Sequence, residues 1–357
     1  MSAIDGPRMY ANDSPHKILC EVWPALRDRR LRMDYYHDLI AHLRRELTIL
    51  MRSPNPVKDS DLHRALERLH LLRKNMDKPL SELFEVLKRE VEQFPGIEIS
   101  RFAEFLTRAC ITIELDMSSF SARSTETTPL HVMIQEKFNR LIPLESAMAT
   151  GTLNRLTMKY LIDTFGWTVS WTSDLTEHLS VNSRTKVVVI YEHKICLLHH
   201  FEFEDHGICP IPKDAIREAL DTLNLLFPPD DIPTQKYLDR EGKPFYRLGT
   251  CGRGVHYRNL THYRYWHKGL TYLLRAAEEE PVGFKQFRLD KKHRNFREVT
   301  TFWLAVVVII FLTLGFGIIS SVFAAKSYQV ALMQYKLDLA QACSAPGATV
   351  SLPRYCA

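Results

Sequence analysis

Several features are missing from this 357-residue chain, and each absence excludes something. The first ten residues, Met1 to Tyr10, hold no apolar core, which excludes a signal-peptide pattern there. Glycine is scarce, 14 residues in all, and no G-x-x-x-x-G-K-S/T run occurs, so a phosphate cradle of the P-loop type is excluded. No internal repeat is visible. The excess of basic over acidic residues is small, 47 against 42, and the net charge of +5 gives no nucleic-acid-binding balance. The most informative absence is local. From Val299 to Ala325 there is no charged side chain.

That stretch reads as a transmembrane helix. At about 1.5 Å rise per residue, about 20 apolar residues cross a ~30 Å hydrocarbon core. A buried core helix would normally carry a polar stripe or a charge, and this segment has neither. Trp303 and Tyr328 stand near its two ends, where interfacial aromatics belong. Lys285, Arg288, Lys291, Lys292, Arg294 and Arg297 precede the span, opposed by Asp290 and Glu298. Just after it come only Lys326 and Lys336. Because Lys and Arg are retained on the cytoplasmic side, the N-terminal part is expected in the cytosol and the C-terminus in a lumen or outside the cell. The basic cluster sets topology and can also attract anionic headgroups. The arrangement is that of a single-pass, tail-anchored protein, in the ER or the plasma membrane.

Cysteine usage divides along the same line. Cys20, Cys110, Cys196, Cys209 and Cys251 fall on the reducing side and are expected as thiols. Cys343 and Cys356 lie in the tail, where an oxidising space would let them close a small disulfide loop; free or lipidated thiols are the alternative.

Residues 1–30 are polar and expected to be a flexible N-terminus. Leu31, Tyr35, Leu39, Leu43, Leu47 and Leu50 then recur at helical spacing. Further helical patterns run from Asp59 or Ser60, after Pro79, around Phe102 to Ala109, and from Pro129 to Leu141, so that 31–142 reads as a helical bundle. Ser118 to Thr128 forms a Ser/Thr-rich linker. From Leu153 the pattern changes. A helix ends at Gly166, and Trp167 to Trp171 alternates as a strand does. Asp174 can cap a short helix, Lys186 to Tyr191 is the clearest strand, and Ile195 to Leu198 reads as a second one. Pro212 opens a helix stopped by Phe227 and Pro228, and Leu260 to Leu274 reads as one aromatic-rich helix. The fold class is therefore mainly α with a small α+β, loosely winged-helix-like domain at 153–280. A basic juxtamembrane linker at 281–298, the transmembrane helix at 299–325 and a short tail at 326–357 follow.

One resemblance adds to this reading. Gly166 and Trp167, the run Trp171 to Leu175, His178 and Leu179, the run Ala219 to Pro228, Tyr265 and Trp266, and Thr301 to Trp303 leading into the span resemble a large, mostly uncharacterised group of fungal single-pass membrane proteins. The resemblance covers about residues 153–325 and implies architecture, a cytosolic domain on one C-terminal anchor. It implies no activity.

Candidate chemistry is sparse. His193, Cys196, His199, His200, His206 and Cys209 offer zinc-type ligands, though their spacing matches no established zinc pattern. If His193 and Cys196 shared one strand they would face opposite ways. Cys251 sits in the loop Gly249 to Gly254 beside Arg253, but no orienting His–Asp pair can be assigned, and a plain loop accounts for the segment. Lys213 to Phe227, the helix that would read DNA in a winged-helix protein, carries acidic residues against its Lys213 and Arg217, and no nucleic acid is expected as partner. Within the span, Gly317, Ser321 and Ala325 lie four apart in a small-xxx-small pattern that permits helix dimerisation. Val330, Met333, Leu337 and Ala340 continue an apolar seam beyond it. The leading expectation is a membrane-anchored scaffold or recognition protein that binds the lipid bilayer and an unidentified protein, without catalysis or cofactor. The alternative is a tethered enzyme or metal-binding domain using the His193–Cys209 cluster.

Overall fold

A computed structural model describes residues 14–27, 31–94, 96–115, 117, 127–142, 153, 156–202, 209–250, 259–278, 294–344 and 354; for Ser14 and residues 294–300 only the backbone is described. The chain is mainly helical, with one small three-stranded sheet and one long apolar C-terminal helix. It divides into two units, 1–282 and 283–357.

In the first unit, helices α1 (Ser14–Val22), α2 (His37–Leu50), α3 (Asp59–Leu66), α4 (Leu69–Lys74), α5 (Leu80–Val91), α6 (Ile99–Ile111) and α7 (Leu130–Leu141) come first. Each forms because apolar residues recur at three- and four-residue spacing. In α2 the stripe Leu39, Leu43 and Leu47 is buried while Arg44 and Arg45 stay outside the core. Proline sets two entries: Pro79 and Pro129 precede α5 and α7 in extended conformation. Of the segment expected to be loose, residues 1–30, the described part, 14–27, contributes to the core instead. Ile18, Leu19, Val22, Trp23 and Leu26 are all buried. Its apolar residues are few and its polar ones many, which hid a single amphipathic helix of about two and a half turns from composition.

Helix α8 (Met158–Phe165) is capped by the Thr157 side chain, which accepts the Tyr160 N–H at 3.2 Å, and ends where Gly166 takes φ +71°. Strands β1 (Thr168–Thr172), β2 (Val181–Asn182) and β3 (Val187–Tyr191) form a sheet in the order β1-β3-β2. β1 runs parallel to β3, pairing Thr168 with Val187 and Thr172 with Tyr191. β2 and β3 are an antiparallel pair, Val181 opposite Val188. A short 3-10 turn, Leu175–Glu177, separates β1 from β2, and the Asp174 carboxylate caps it by accepting the Thr176 N–H at 2.8 Å. Helices α9 (Lys194–Glu202), α10 (Lys213–Leu226), α11 (Ile232–Arg240) and α12 (His267–Glu278) complete the unit.

Two expectations are corrected here. Ile195 to Leu198 is not a strand but the interior of α9. Four consecutive apolar residues suit either element, because a fully buried segment shows no period. Burial of Ile195, Cys196, Leu197, His199 and His200 shows why the pattern was silent. Leu260 to Leu274 is not one helix. A 3-10 turn at Leu260–His262 is followed by Tyr263 in extended conformation and a bend at 264–266 before α12 begins. Glu218 of α10 holds that interruption, its carboxylate accepting the N–H groups of Arg264 and Trp266, both at 2.7 Å.

The bundle and the α+β segment share one hydrophobic core. Polar contacts tie them as well. Thr112, just past α6, bonds the Tyr191 hydroxyl at 2.6 Å and accepts the Leu175 N–H on its carbonyl at 3.1 Å. Tyr36 pairs its hydroxyl with His199 Nε2 at 2.7 Å.

Among its described residues the second unit contains one helix, α13 (Arg294–Cys343), about 75 Å long at the standard rise. It is long and apolar enough to cross a membrane, and none of its apolar window is buried. Two of its hydroxyls are satisfied on its own backbone: Thr313 donates to the Ile309 carbonyl and Ser321 to that of Gly317, each at 2.8 Å. The helix does not stop at Ala325 but carries the seam Val330, Met333, Leu337 and Ala340 onward in the same rod. Cys343 at its end is disulfide-bonded. Cys356, its expected partner, lies outside the described residues.

Candidate functional site

The deepest concentration of chemistry-bearing groups in the first unit lies where α2 meets the end of β3. Asp38, His42 and Glu46 recur every four residues on α2 and so share a face. Opposite them, β3 ends at Tyr191. The Glu192 N–H continues the ladder to the Thr172 carbonyl at 3.0 Å, and Glu192 and His193 make the bend into α9. The third contributor is Lys243. After α11 the chain turns at Gly242 with φ +69°, a value that suits glycine, and the Lys243 N–H returns to the Leu238 carbonyl at 2.8 Å.

These side chains meet closely. The possible ligand atoms of His42, Glu192 and His193 all lie within 4.8 Å of one another. The two imidazole rings are 5.0 Å apart, tilted by 46°. Glu192 faces two ways: Oε1 lies 3.4 Å from His193 Nε2, and Oε2 lies 2.8 Å from Lys243 Nζ. Lys243 also reaches Asp38 Oδ2 at 3.3 Å. His193 Nε2 is buried without a hydrogen-bond partner.

Burial pushes the His193 pKa well below the usual histidine range, and the neighbouring His42, Lys243 and Arg45 add to the effect. Burial also lowers His42, against the pull of Glu46 and Glu192. Both rings are neutral at pH 7 on that account. Lys243 goes the other way: burial opposes its charge, but its bonds to Glu192 and Asp38 prevail and its pKa is raised. The group opens onto a cleft of about 520 Å³, whose walls include Asp38, Glu192, His193, Lys243, Phe245 and Arg247.

The sequence cluster from His193 to Cys209 does not converge. Among the described residues, no three of its side chains bring ligand atoms together. His193 faces α2. Cys196 is buried beside Tyr191, and burial raises its thiol pKa to about 12. Cys209 is raised to about 12 for the same reason. His199 stacks on Tyr36 at 5.6 Å, and burial lowers His200 to about 4. His206 lies outside the described residues, as do Cys251, Lys285, Arg288, Lys291 and Lys292; Arg294 and Arg297 fall in α13, where only the backbone is described. Gly317, Ser321 and Ala325 lie on α13.

Sequence reasoning missed His42, Glu192 and Lys243. The usable signal was the Asp38–His42–Glu46 spacing, a polar row on a helix whose leucines had already been assigned to the core. It missed Lys194 too, buried and donating from Nζ to Asn224 Oδ1 at 2.8 Å and to the Gly249 carbonyl at 2.9 Å.

Other buried polar groups are structural. His178 accepts the Tyr191 N–H on Nδ1 at 3.2 Å. Its Nε2 therefore carries the proton and donates to Thr222 Oγ1 at 2.8 Å, which donates to the Ala219 carbonyl at 2.7 Å. Burial lowers the His178 pKa to about 3. Glu218 is raised to about 7 by burial, against the backbone N–H bonds that favour its charged form.

Compared with models of known families, with curated proteins and with solved structures, the chain matches none.

Proposed function

We propose that this protein is a single-pass membrane-anchored scaffold or recognition protein, its first unit in the cytosol and its C-terminus in a lumen or outside the cell. The observation that carries the proposal is α13, with no charge from Val299 to Ala325 and an apolar window of which none is buried. The basic residues Lys285 to Arg297 before the span, against Lys326 and Lys336 after it, support the orientation. Beyond Ala325 the helix emerges from the bilayer and presents its apolar seam, and Gly317, Ser321 and Ala325 permit close approach of a second copy. The resemblance of residues 153–325 to fungal single-pass proteins supports the same architecture.

A binding role fits the first unit better than thiol catalysis. The two described thiols whose pKa is shifted, Cys196 and Cys209, are held protonated by burial. The cleft presents both signs of charge, Asp38 and Arg247 among them, with the Phe245 ring between. Such a mixed lining suits a polypeptide segment.

Two measurements test this. Full-length protein in sealed cells should resist alkaline carbonate extraction, with a C-terminal tag protected from cytosolic protease; release by carbonate, or a digested tag, removes the anchor and its orientation. Proximity labelling from the N-terminus should return a reproducible set of cytosolic neighbours, thinned by Arg247→Glu in the cleft. A labelling profile identical to that of the isolated anchor helix would leave the recognition role without support.

A further inference from the structure

The convergence of His42, Glu192 and His193 points to a binding site for one divalent transition-metal ion of the zinc class, and we propose it as such. The three side chains would supply the protein ligands and the cleft a fourth, open position. Three observations carry this.

The first is geometric. Ligands bound to zinc at about 2.0–2.1 Å in a tetrahedron stand about 3.3 Å from one another. His193 Nε2 and Glu192 Oε1 are already 3.4 Å apart, and all three ligand atoms fall within 4.8 Å. Rotamer adjustments of about an ångström close the set. The second is an orphan. His193 is 3% exposed, and its Nε2, aimed at this point, has no hydrogen-bond partner. Buried polar atoms without partners are uncommon, and an unbound ion is one reason for them. The third is donor chemistry. Two imidazoles and one carboxylate with an open position suit zinc or ferrous iron, whereas magnesium and calcium prefer oxygen ligands throughout.

Lys243 has a defined part. From Glu192 Oε2 it holds the carboxylate in place with Oε1 turned toward His193. It also adds a positive charge near the ion, so it orients the ligand and weakens the site together. The site is independent of the membrane anchor and of any partner in the cleft.

The test uses full-length protein in detergent micelles, stripped with chelator and titrated with Co2+ as a spectroscopic probe, then with Zn2+ in competition. One equivalent of Co2+ should give the visible ligand-field bands of a four- or five-coordinate site, and Zn2+ should displace it. Mg2+ should not. Ferrous iron, titrated anaerobically, shows whether the site prefers iron to zinc. His193→Gln and Glu192→Gln, both close in shape to the native side chains, should each weaken Co2+ at least tenfold. His200→Gln, outside the group, should leave binding within twofold. Circular dichroism confirms that each variant is folded. Lys243→Met keeps both imidazoles and should tighten Co2+ several-fold, a readout that does not depend on the ligand variants folding. Absence of a stoichiometric Co2+ spectrum in the wild-type protein overturns the proposal. So does an affinity indifferent to Glu192→Gln and Lys243→Met.

Discussion

Single atoms decide much of the first unit. Gly269 at the start of α12 illustrates the smallest scale: a Cβ there would lie 2.3 Å from the Leu179 carbonyl oxygen, a backbone atom that cannot swing away. Gly269→Ala should therefore destabilise the unit by about 3 kcal/mol, read as a lowered urea midpoint at unchanged slope. A midpoint within error of the wild type would show that α12 shifts freely. Buried titratable groups give the second residue-scale prediction. His178 and His200 have folded pKa values near 3 and 4, below the ordinary 6.5. Their neutral forms stabilise the fold above about pH 6.5, and that stability is lost as pH falls toward those folded values. Glu218 has the opposite sign. Its folded pKa near 7 exceeds the ordinary 4.5, so its contribution is full below that ordinary value and lost as pH rises through about 7. His193 and His42, also lowered by burial, act with the same sign as His178 and His200. Between about pH 6 and 5 these histidines together outweigh the one glutamate, and the net is a fall of more than about 1 kcal/mol per pH unit. Denaturant titrations across that range should give this slope, and Glu218→Gln should steepen it. A flat profile would show that these groups are solvated in the folded protein.

At the scale of elements, legibility followed amphipathicity. Helices α2, α5 and α10 each bury one face and expose the other, and their apolar spacing reads off the chain directly. Strand β3 was equally plain because its branched residues stand together. Helix α9 was not, since burial on nearly every side erases the period that separates helix from strand. The break at Tyr263 to Trp266 was also hidden, because the carboxylate that accepts the Arg264 and Trp266 N–H groups sits 46 and 48 residues earlier. Helix α13 was the clearest of all. A charge at its middle should be costly: Ile309→Arg should lower membrane insertion by about 3 kcal/mol, seen as a large soluble fraction after carbonate treatment. Complete membrane retention of that variant would argue that the helix lies against protein or water rather than lipid.

For the whole molecule, the shared core matters most. Residues 14–26 bury Ile18, Leu19, Val22 and Trp23 against it, and Arg73 of α4 donates to the carbonyls of Glu21 and Val22 from the other side. Deleting residues 1–26 should abolish cooperative unfolding of the first unit, with protease resistance lost as well. A truncated protein that melts as sharply as the intact one would make α1 an accessory. Contacts such as Tyr36 with His199 and Thr112 with Tyr191 join segments that sequence pattern had assigned to a bundle and to an α+β domain, so neither segment completes its core alone. The amino-acid order by itself determined the helical class, the small sheet and the membrane-length C-terminal rod, because each depends only on side chains a few positions apart and on how they prefer water or oil. Tertiary structure alone decided that His42 would face Glu192 and His193 across 149 intervening residues, since no local preference encodes which buried polar groups folding will bring within reach of one another.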